Sequence, residues 1–283
     1  MDVLVTGAGG QLGRALLRAA PDRAVGLDHA RMPVEDAGAV AAALAEHRPR
    51  WVVHCAAWTA VDACEGDPER AMRVNGEGTA NVAAACAASG AGLVYVSTDF
   101  VFDGRASEPY DVDAPTNPLS WYGRSKLAGE EAVLRHRRPD FYVVRTSWVF
   151  GPQGRNFPAA ILAKARAGGD LRVVADQTGS PTLTTDLAAA LLDLLDARPE
   201  AGVYHAANTG RCSWYGFARR VLAAAGLEGV RVERITSEEL DLPAARPAWS
   251  VLDCGRLAAV RGRALPEWED AVARYLREEP RDT

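Results

Sequence analysis

Tyr122 and Lys126 frame the segment Tyr-Gly-Arg-Ser-Lys, so a phenol and an amine stand four residues apart. On a helix that spacing projects both side chains from one face. A tyrosine ordinarily titrates near pH ~10 and is a poor acid–base group on its own. A lysine cation beside it favours the phenolate and brings the pair closer to neutrality. Ser97-Thr98-Asp99 closes an apolar run upstream, and the Thr98 hydroxyl can hydrogen-bond the carbonyl oxygen that the tyrosine would protonate. Together the three groups are suited to protonating a carbonyl oxygen while its carbon is reduced.

A second motif suits phosphate. Thr6-Gly-Ala-Gly-Gly-Gln-Leu-Gly13 has glycines at 7, 10 and 13. The first permits a tight turn, the next lets backbone approach a pyrophosphate, and the last lets a helix pack close to a sheet. Free N–H groups at the start of the following helix would face the phosphates. Asp28 lies 21 residues after Gly7, where an acid accepts hydrogen bonds from adenosine ribose hydroxyls and favours NAD. His29 and Arg31 follow, and a cation there accepts the 2′-phosphate of NADP, so the choice between the two cofactors stays open.

These motifs need a scaffold that brings strand ends together. Val3–Thr6, Val25–Leu27, Trp51–Cys55, Leu93–Ser97 and Tyr142–Thr146 are short apolar runs. Gln11–Ala20 and Asp36–His47 are helical in pattern. Near-continuous apolar strands between helices predict a parallel sheet covered on both faces, and right-handed crossovers make it doubly wound. Gly151–Phe157 reads as a loop, after which the runs Leu171–Val174, Val203–His205 and Val232–Ile235 lie further apart. We therefore expect an α/β chain with a dinucleotide-binding domain over 1–150. A smaller, partly interleaved C-terminal α/β substrate lobe follows over 151–283, with a soft boundary.

Bulk properties exclude several classes. The 283 residues are 48% hydrophobic and 24% charged, which is globular composition. A net charge of −5 argues against nucleic acid or anionic membrane as partner. The uncharged stretch 78–98 contains Asn81, Ser89, Gly90 and Gly92, and reads as helix, turn and strand rather than a membrane span. Met1 precedes a strand with no basic leader, so a cytoplasmic location is expected. Five cysteines without Cys-x-x-Cys spacing indicate free thiols, neither a disulfide framework nor a zinc site, and no metal ligands are assigned.

Further segments carry a family resemblance: Cys55-Ala-Ala-Trp-Thr-Ala-Val-Asp62, Val74-Asn75, Ser97-Thr-Asp-Phe-Val-Phe-Asp-Gly104, Tyr122–Glu130, Arg145-Thr-Ser-Trp-Val149, Asn156-Phe157, Asp176-Gln-Thr-Gly-Ser-Pro-Thr182 and Arg246-Pro247. With the glycine loop, they resemble the extended short-chain dehydrogenase/reductases and, within them, the dTDP-4-dehydrorhamnose reductase family. The resemblance implies a Rossmann domain and NADPH or NADH as cofactor. The implied reaction reduces the C4 keto group of dTDP-4-dehydro-6-deoxy-L-mannose to dTDP-L-rhamnose. It makes Tyr122 the proton donor, Lys126 its partner at the nicotinamide ribose, and Thr98 the polarising hydroxyl. It puts Gly7, Gly10, Gln11, Leu12, Gly13, Asp28, Ala56 and Ala57, with Tyr122 and Lys126, at the cofactor. It puts Thr98, Asp99, Phe100, Trp148, Asn156, Gln177 and Arg246 at the dTDP-keto-deoxy sugar.

The departures from the family matter as well. Phe100 replaces the usual Tyr, and it also stands where 4,6-dehydratases carry the eliminating Glu, which weighs against dehydration. His54 stands where an Asn is common. Some members dimerise around magnesium through two glutamates, and the matching positions here are Ala15 and Thr185, which lack carboxylates. A monomer, or a dimer without a bridging metal, is the expectation. Two alternatives remain: another NDP-keto-sugar reductase or epimerase, and a non-catalytic regulatory subunit resembling the beta subunit of methionine adenosyltransferase.

Overall fold

The structure is a computed structural model that describes residues 2–278. Its strands are β1 (Val3–Thr6), β2 (Ala24–Leu27), β3 (Trp51–His54), β4 (Gly92–Thr98), β5 (Phe141–Thr146), β6 (Val149–Phe150), β7 (Leu171–Val174), β8 (Thr178–Gly179), β9 (Thr182–Leu183), β10 (Gly202–His205), β11 (Cys212–Ser213) and β12 (Val232–Ile235). The helices are α1 (Gln11–Ala19), α2 (Ala37–His47), α3 (Val61–Gly66), α4 (Pro68–Ala71), α5 (Gly78–Ser89), α6 (Trp121–Leu134), α7 (Phe157–Arg166), α8 (Thr184–Ala197), α9 (Trp214–Ala224), α10 (Ser237–Leu240), α11 (Gly255–Arg261) and α12 (Trp268–Glu278).

Six strands form one parallel sheet in the order β10-β5-β4-β3-β1-β2. The order reverses between β1 and β3, and such a switch opens a crevice at the carboxyl ends of the strands. Both faces are dry. Leu12, Leu16, Leu187, Leu191, Leu194 and Leu257 cover one side, and Val40, Leu44, Val82, Cys86 and Val133 cover the other. Asp36 is the cap of α2 rather than its first residue, accepting from the N–H groups of Gly38 and Ala39.

The chain past residue 150 does not stand apart. It supplies β10 to the large sheet, and α8 packs against α1. Beyond these, the pairs β7–β12, β8–β11 and β6–β9 join α7, α9 and α12 around a third core of Phe150, Leu162, Phe217, Val221, Trp268 and Tyr275. Residues 244–253 run back across the large lobe. On one side the Thr178 N–H donates to the Ala248 carbonyl and the Ser250 N–H donates to the Thr178 carbonyl, and Tyr110 is tied to Val251 and Asp253 on the other. Gly104 (φ +74°) admits this segment, since a Cβ there would lie 2.5 Å from the Pro247 Cα.

A π-helical turn, Met72–Glu77, joins α4 to α5 and carries the buried Asn75. Such turns recur near functional sites because one extra residue re-aims a side chain. Among the described residues no helix is long and apolar enough to cross a membrane.

Candidate active site

At the carboxyl edge of the large sheet lies a cleft of about 860 Å³. The glycine loop forms one wall. Gly7 sits at φ +64°, and a Cβ there would come within 2.7 Å of the Ala56 nitrogen. A Cβ on Gly13 would lie 2.5 Å from the Gly7 carbonyl oxygen. Two glycines thus let the loop wedge between α1 and the loop after β3. The cap of α1 is Gly10, with no side-chain partner for the helix start. This open cradle with unshielded N–H groups fits the diphosphate of a dinucleotide.

Ala56 and Ala57 continue that wall, and Gln11, Leu12 and Asp28 line the cleft with them. Asp28 Oδ1 accepts the Arg31 N–H at 3.1 Å. His29 also lines the cleft, whereas Arg31 does not. The Gln11 amide turns outward and donates to the Arg155 carbonyl.

His54 lies beneath Ala56 and is fully buried. Thr79 donates its proton to the Asn75 carbonyl, so Nε2 of His54 must carry the hydrogen that bonds Thr79. Nδ1 then accepts from Thr6, whose oxygen in turn accepts the Ala56 N–H. Burial first, then the Lys126 charge, pushes this imidazole down to about 3. Asn75 clamps both backbone groups of Trp58 and donates to Ser125 on α6, which links the cofactor wall to the helix of Tyr122. Neither role was read from the sequence.

Helix α6 starts on two fasteners. Ser120 Oγ caps it through Gly123, and Glu65 accepts the Trp121 N–H at 2.7 Å. Tyr122 follows directly, nearly buried, with Phe100 edge-on at 5.4 Å. Its phenol is driven well above its ordinary range by burial, although the neighbouring Thr98 hydroxyl pulls the other way. Thr98 Oγ1 donates to Asp99 at 3.0 Å and accepts the Phe100 N–H. Burial raises the Asp99 carboxyl to about 6, against the bonds from Ser250 and Thr98.

Lys126 departs from expectation. Its Nζ donates to the Val96 carbonyl at 2.8 Å and lies 4.2 Å from the centre of the Tyr95 ring. Burial brings it down to about 7, with Glu130 and Cys55 opposing. The groups acting on the phenol besides burial are Thr98, Asp99 and Cys64. The sequence-based expectation that the lysine cation draws the tyrosine down toward neutrality therefore fails here. Dehydration moves both groups toward their neutral forms.

A second cavity of about 240 Å³ adjoins the cleft, and Phe100, Trp148, Trp214 and Arg246 line both. Trp148 has left-handed backbone (φ 46°), unusual for a bulky residue and typical of functional sites. Its indole stacks on Trp214 at 3.6 Å and 6°. Trp214, not singled out from sequence, donates to Gln177, whose amide donates to Ser237. Arg246 makes a two-pronged bond to Asp62 at 3.1 and 2.8 Å.

Asn156 lines neither cavity. It caps α7 by accepting from Ala159, and its amide donates to Gly151 and to Gln11. The structure places it at a helix cap rather than in either cavity, away from the expected substrate contact. Ala15 is core beneath α8, and Thr185 is on α8.

The chain matches, over residues 1–280, the family described as RmlD substrate binding domain. A dTDP-4-dehydrorhamnose reductase of Streptomyces griseus is 45% identical over 278 residues, 95% of this chain and 91% of that protein. A probable dTDP-4,6-dihydroxy-2-methyloxan-3-one 4-ketoreductase of Streptomyces antibioticus is 41% identical, covering 95% of this chain and 92% of that one. The crystal structure of a Bacillus anthracis dTDP-4-dehydrorhamnose reductase in complex with NADP superposes with a TM-score of 0.93 at 36% identity, covering 98% and 100% of the two chains.

Proposed function

From the premise that the chain belongs to the RmlD substrate binding domain family, we infer that it is an oxidoreductase using NADPH or NADH. It reduces the C4 keto group of dTDP-4-dehydro-6-deoxy-L-mannose to give dTDP-L-rhamnose. The observation that carries the reading is the Tyr122 phenol beside the Thr98 hydroxyl, in the same cleft as the open glycine loop.

When bound, the dinucleotide supplies the hydride, and the protein contributes position and electrostatics. The backbone at Gly7, Gly10, Gln11, Leu12 and Gly13 would hold the diphosphate, Asp28 the adenosine ribose, and Ala56 and Ala57 the wall between them. Tyr122 donates its proton to the sugar oxygen as charge develops there. Its raised phenol pKa keeps that proton in place at neutral pH. Thr98 Oγ1, now donating to Asp99, would turn to the same oxygen. Lys126, brought near neutrality by burial, can return a proton to the phenolate. Trp148 offers an apolar face to the deoxy sugar, Phe100 flanks it, and Gln177 and Arg246 supply polar contacts further along the nucleotide. A monomer, or a dimer not bridged by metal, accords with Ala15 and Thr185, which carry no carboxylate; a cytoplasmic location is part of the same proposal.

The test follows NAD(P)H absorbance with the keto-sugar nucleotide. Tyr122→Phe should lower kcat roughly 10²–10⁴-fold, the usual contribution of a positioned general acid. Equal rates defeat the assignment. Phe100 and the Streptomyces antibioticus relative favour a second reading, reduction of a different dTDP-keto sugar. Higher kcat/KM on such a sugar than on the rhamnose precursor would select it.

A further inference from the structure

Helix α3 is six residues long and directly follows the loop that lines the cleft. Its Asp62 reaches 184 residues along the chain to Arg246. The carboxylate takes Nη1 and Nη2 of the guanidinium, and Oδ1 also accepts the Ala244 N–H at 3.2 Å. It is the one ion pair, among the described residues, between the loop region after β3 and the segment entering the second cavity.

That segment is fastened at two ends. At its start the Ser237 N–H and hydroxyl bond Asp176, at 2.9 and 2.7 Å. At its finish Asp62 holds Ala244 and Arg246. Between the fastenings Leu240 and Leu242 are each 41% exposed, and Leu240 lines the second cavity.

An arginine has five N–H donors. Two go to Asp62 and one to the Ala244 carbonyl. Among the described residues, Nε and one hydrogen of Nη2 have no partner, on a residue that lines both cavities. The pair is partly exposed, with side chains 19% and 38% accessible. Such pairs add little to stability, but a two-pronged bond fixes the plane of a guanidinium.

We propose that Asp62 is a positioning residue for the sugar nucleotide: it sets the orientation of Arg246 where the two cavities meet and leaves two donors for the substrate's diphosphate. This rests on the reading above, in which Arg246 meets the nucleotide. Asp62 makes no contact with the reacting carbonyl and acts through Arg246 alone.

The experiment is a double-mutant cycle on the full-length enzyme with D62A, R246A and D62A/R246A, plus the isosteric D62N. Three readouts are taken: KM and kcat for the keto-sugar nucleotide, calorimetric affinity for dTDP, and affinity for NADPH. D62A should raise KM and weaken dTDP binding about ten- to a hundredfold, the range for losing an oriented charge-assisted hydrogen bond. It should leave kcat within about threefold and NADPH affinity within about twofold. The double variant should be no worse than R246A. D62N, which keeps an acceptor but loses the two-pronged charge, should fall between wild type and D62A, and it carries the test if D62A does not fold.

Unchanged KM in D62A, multiplying effects in the double variant, or a drop in KM for D62N would each overturn the proposal. The last would mean that Asp62 mainly repels the anion. A parallel loss of kcat, NADPH affinity and thermal stability would reduce it to a structural tie. Wild type that neither binds dTDP nor turns over the keto sugar would remove the functional reading itself, and this inference with it. Wild-type turnover with an indifferent D62A removes the inference alone.

Discussion

Replacing Lys126 by methionine should make the ligand-free protein more stable near neutral pH, although the lysine lines the candidate cleft. Burial lowers the ammonium from 10.5 to about 7. At about 1.4 kcal/mol per pH unit, the charged form disfavours the fold by up to about 5 kcal/mol. Between pH ~7 and ~10.5 the unfolded chain binds the proton that the native state has lost, so this contribution makes stability rise with pH. Below pH ~7 both states are protonated and the penalty is fully present.

Methionine removes that penalty but strands the Val96 carbonyl, which accepts from Nζ at 2.8 Å. A lost partner for a buried acceptor costs about 1–3 kcal/mol. K126M should therefore gain about 2–4 kcal/mol at pH 6, or roughly 5–15 °C in melting temperature for a chain of this size. The advantage should shrink by about 3 kcal/mol between pH 6 and 9, because linkage removes the wild-type penalty there. Urea unfolding of both proteins across that range measures it. Cys64, Cys86 and His205 carry no Lys126 contribution and cancel in the difference, whereas His54 and Cys55 feel the Lys126 charge, with burial the larger effect on both. A variant less stable than wild type at pH 6, or a difference flat in pH, would refute the account of Lys126 as a dehydrated cation.

Two further outcomes follow from the same structure. Gly7→Ala puts a side chain at φ +64° and 2.7 Å from the Ala56 nitrogen. The left-handed conformation alone costs about 1–2 kcal/mol, and the forced shift of the loop should raise KM for NADPH at least about tenfold; unchanged cofactor affinity contradicts the cradle. Glu130→Ala strips the partner from Arg145, whose guanidinium is 5% exposed and bonded at 2.7 Å. Leaving that charge unpaired should cost about 3–5 kcal/mol in denaturant unfolding. It also removes the carboxylate that supports the Lys126 proton, so the Lys126 titration should move further down.

What the sequence disclosed was whatever local chemistry dictates. The β-branched runs became the six-stranded sheet, and Gly7 and Gly13 announced a close approach of backbone. Tyr122 and Lys126 reached one cleft because a helix repeats on that spacing. What it hid was partnership at a distance. Nothing near Trp148 tells that its neighbour in space is Trp214, and nothing near Asp62 points to Arg246. Lys126 bonds a main-chain carbonyl, an acceptor with no residue type to search for. Asn156 shows the opposite case: Asn156-Phe-Pro158 is a helix start, with an N-cap and a proline in the first turn, a local role legible in the residue types beside the ligand role.

The expected lowering of the Tyr122 phenol by Lys126 failed on burial, which spacing does not encode. Yet the shifts around the cleft share one direction. Asp99, Cys55 and Tyr122 move up, and His54 and Lys126 move down. Burial pushes each toward its uncharged form, with Asp99 at about 6 and Lys126 at about 7 left closest to titration near neutral pH. The Arg246–Asp62 pair is partly exposed where the two cavities meet, while the start of α1 at Gln11–Gly13 presents backbone N–H groups at the other end of the cleft. A buried interior of this kind strengthens a hydrogen bond to a developing alkoxide, since the local dielectric is low. It leaves phosphate recognition to groups that need not be dehydrated. Introducing a permanent charge at the dry end should therefore damage turnover more than it damages binding of the nucleotide.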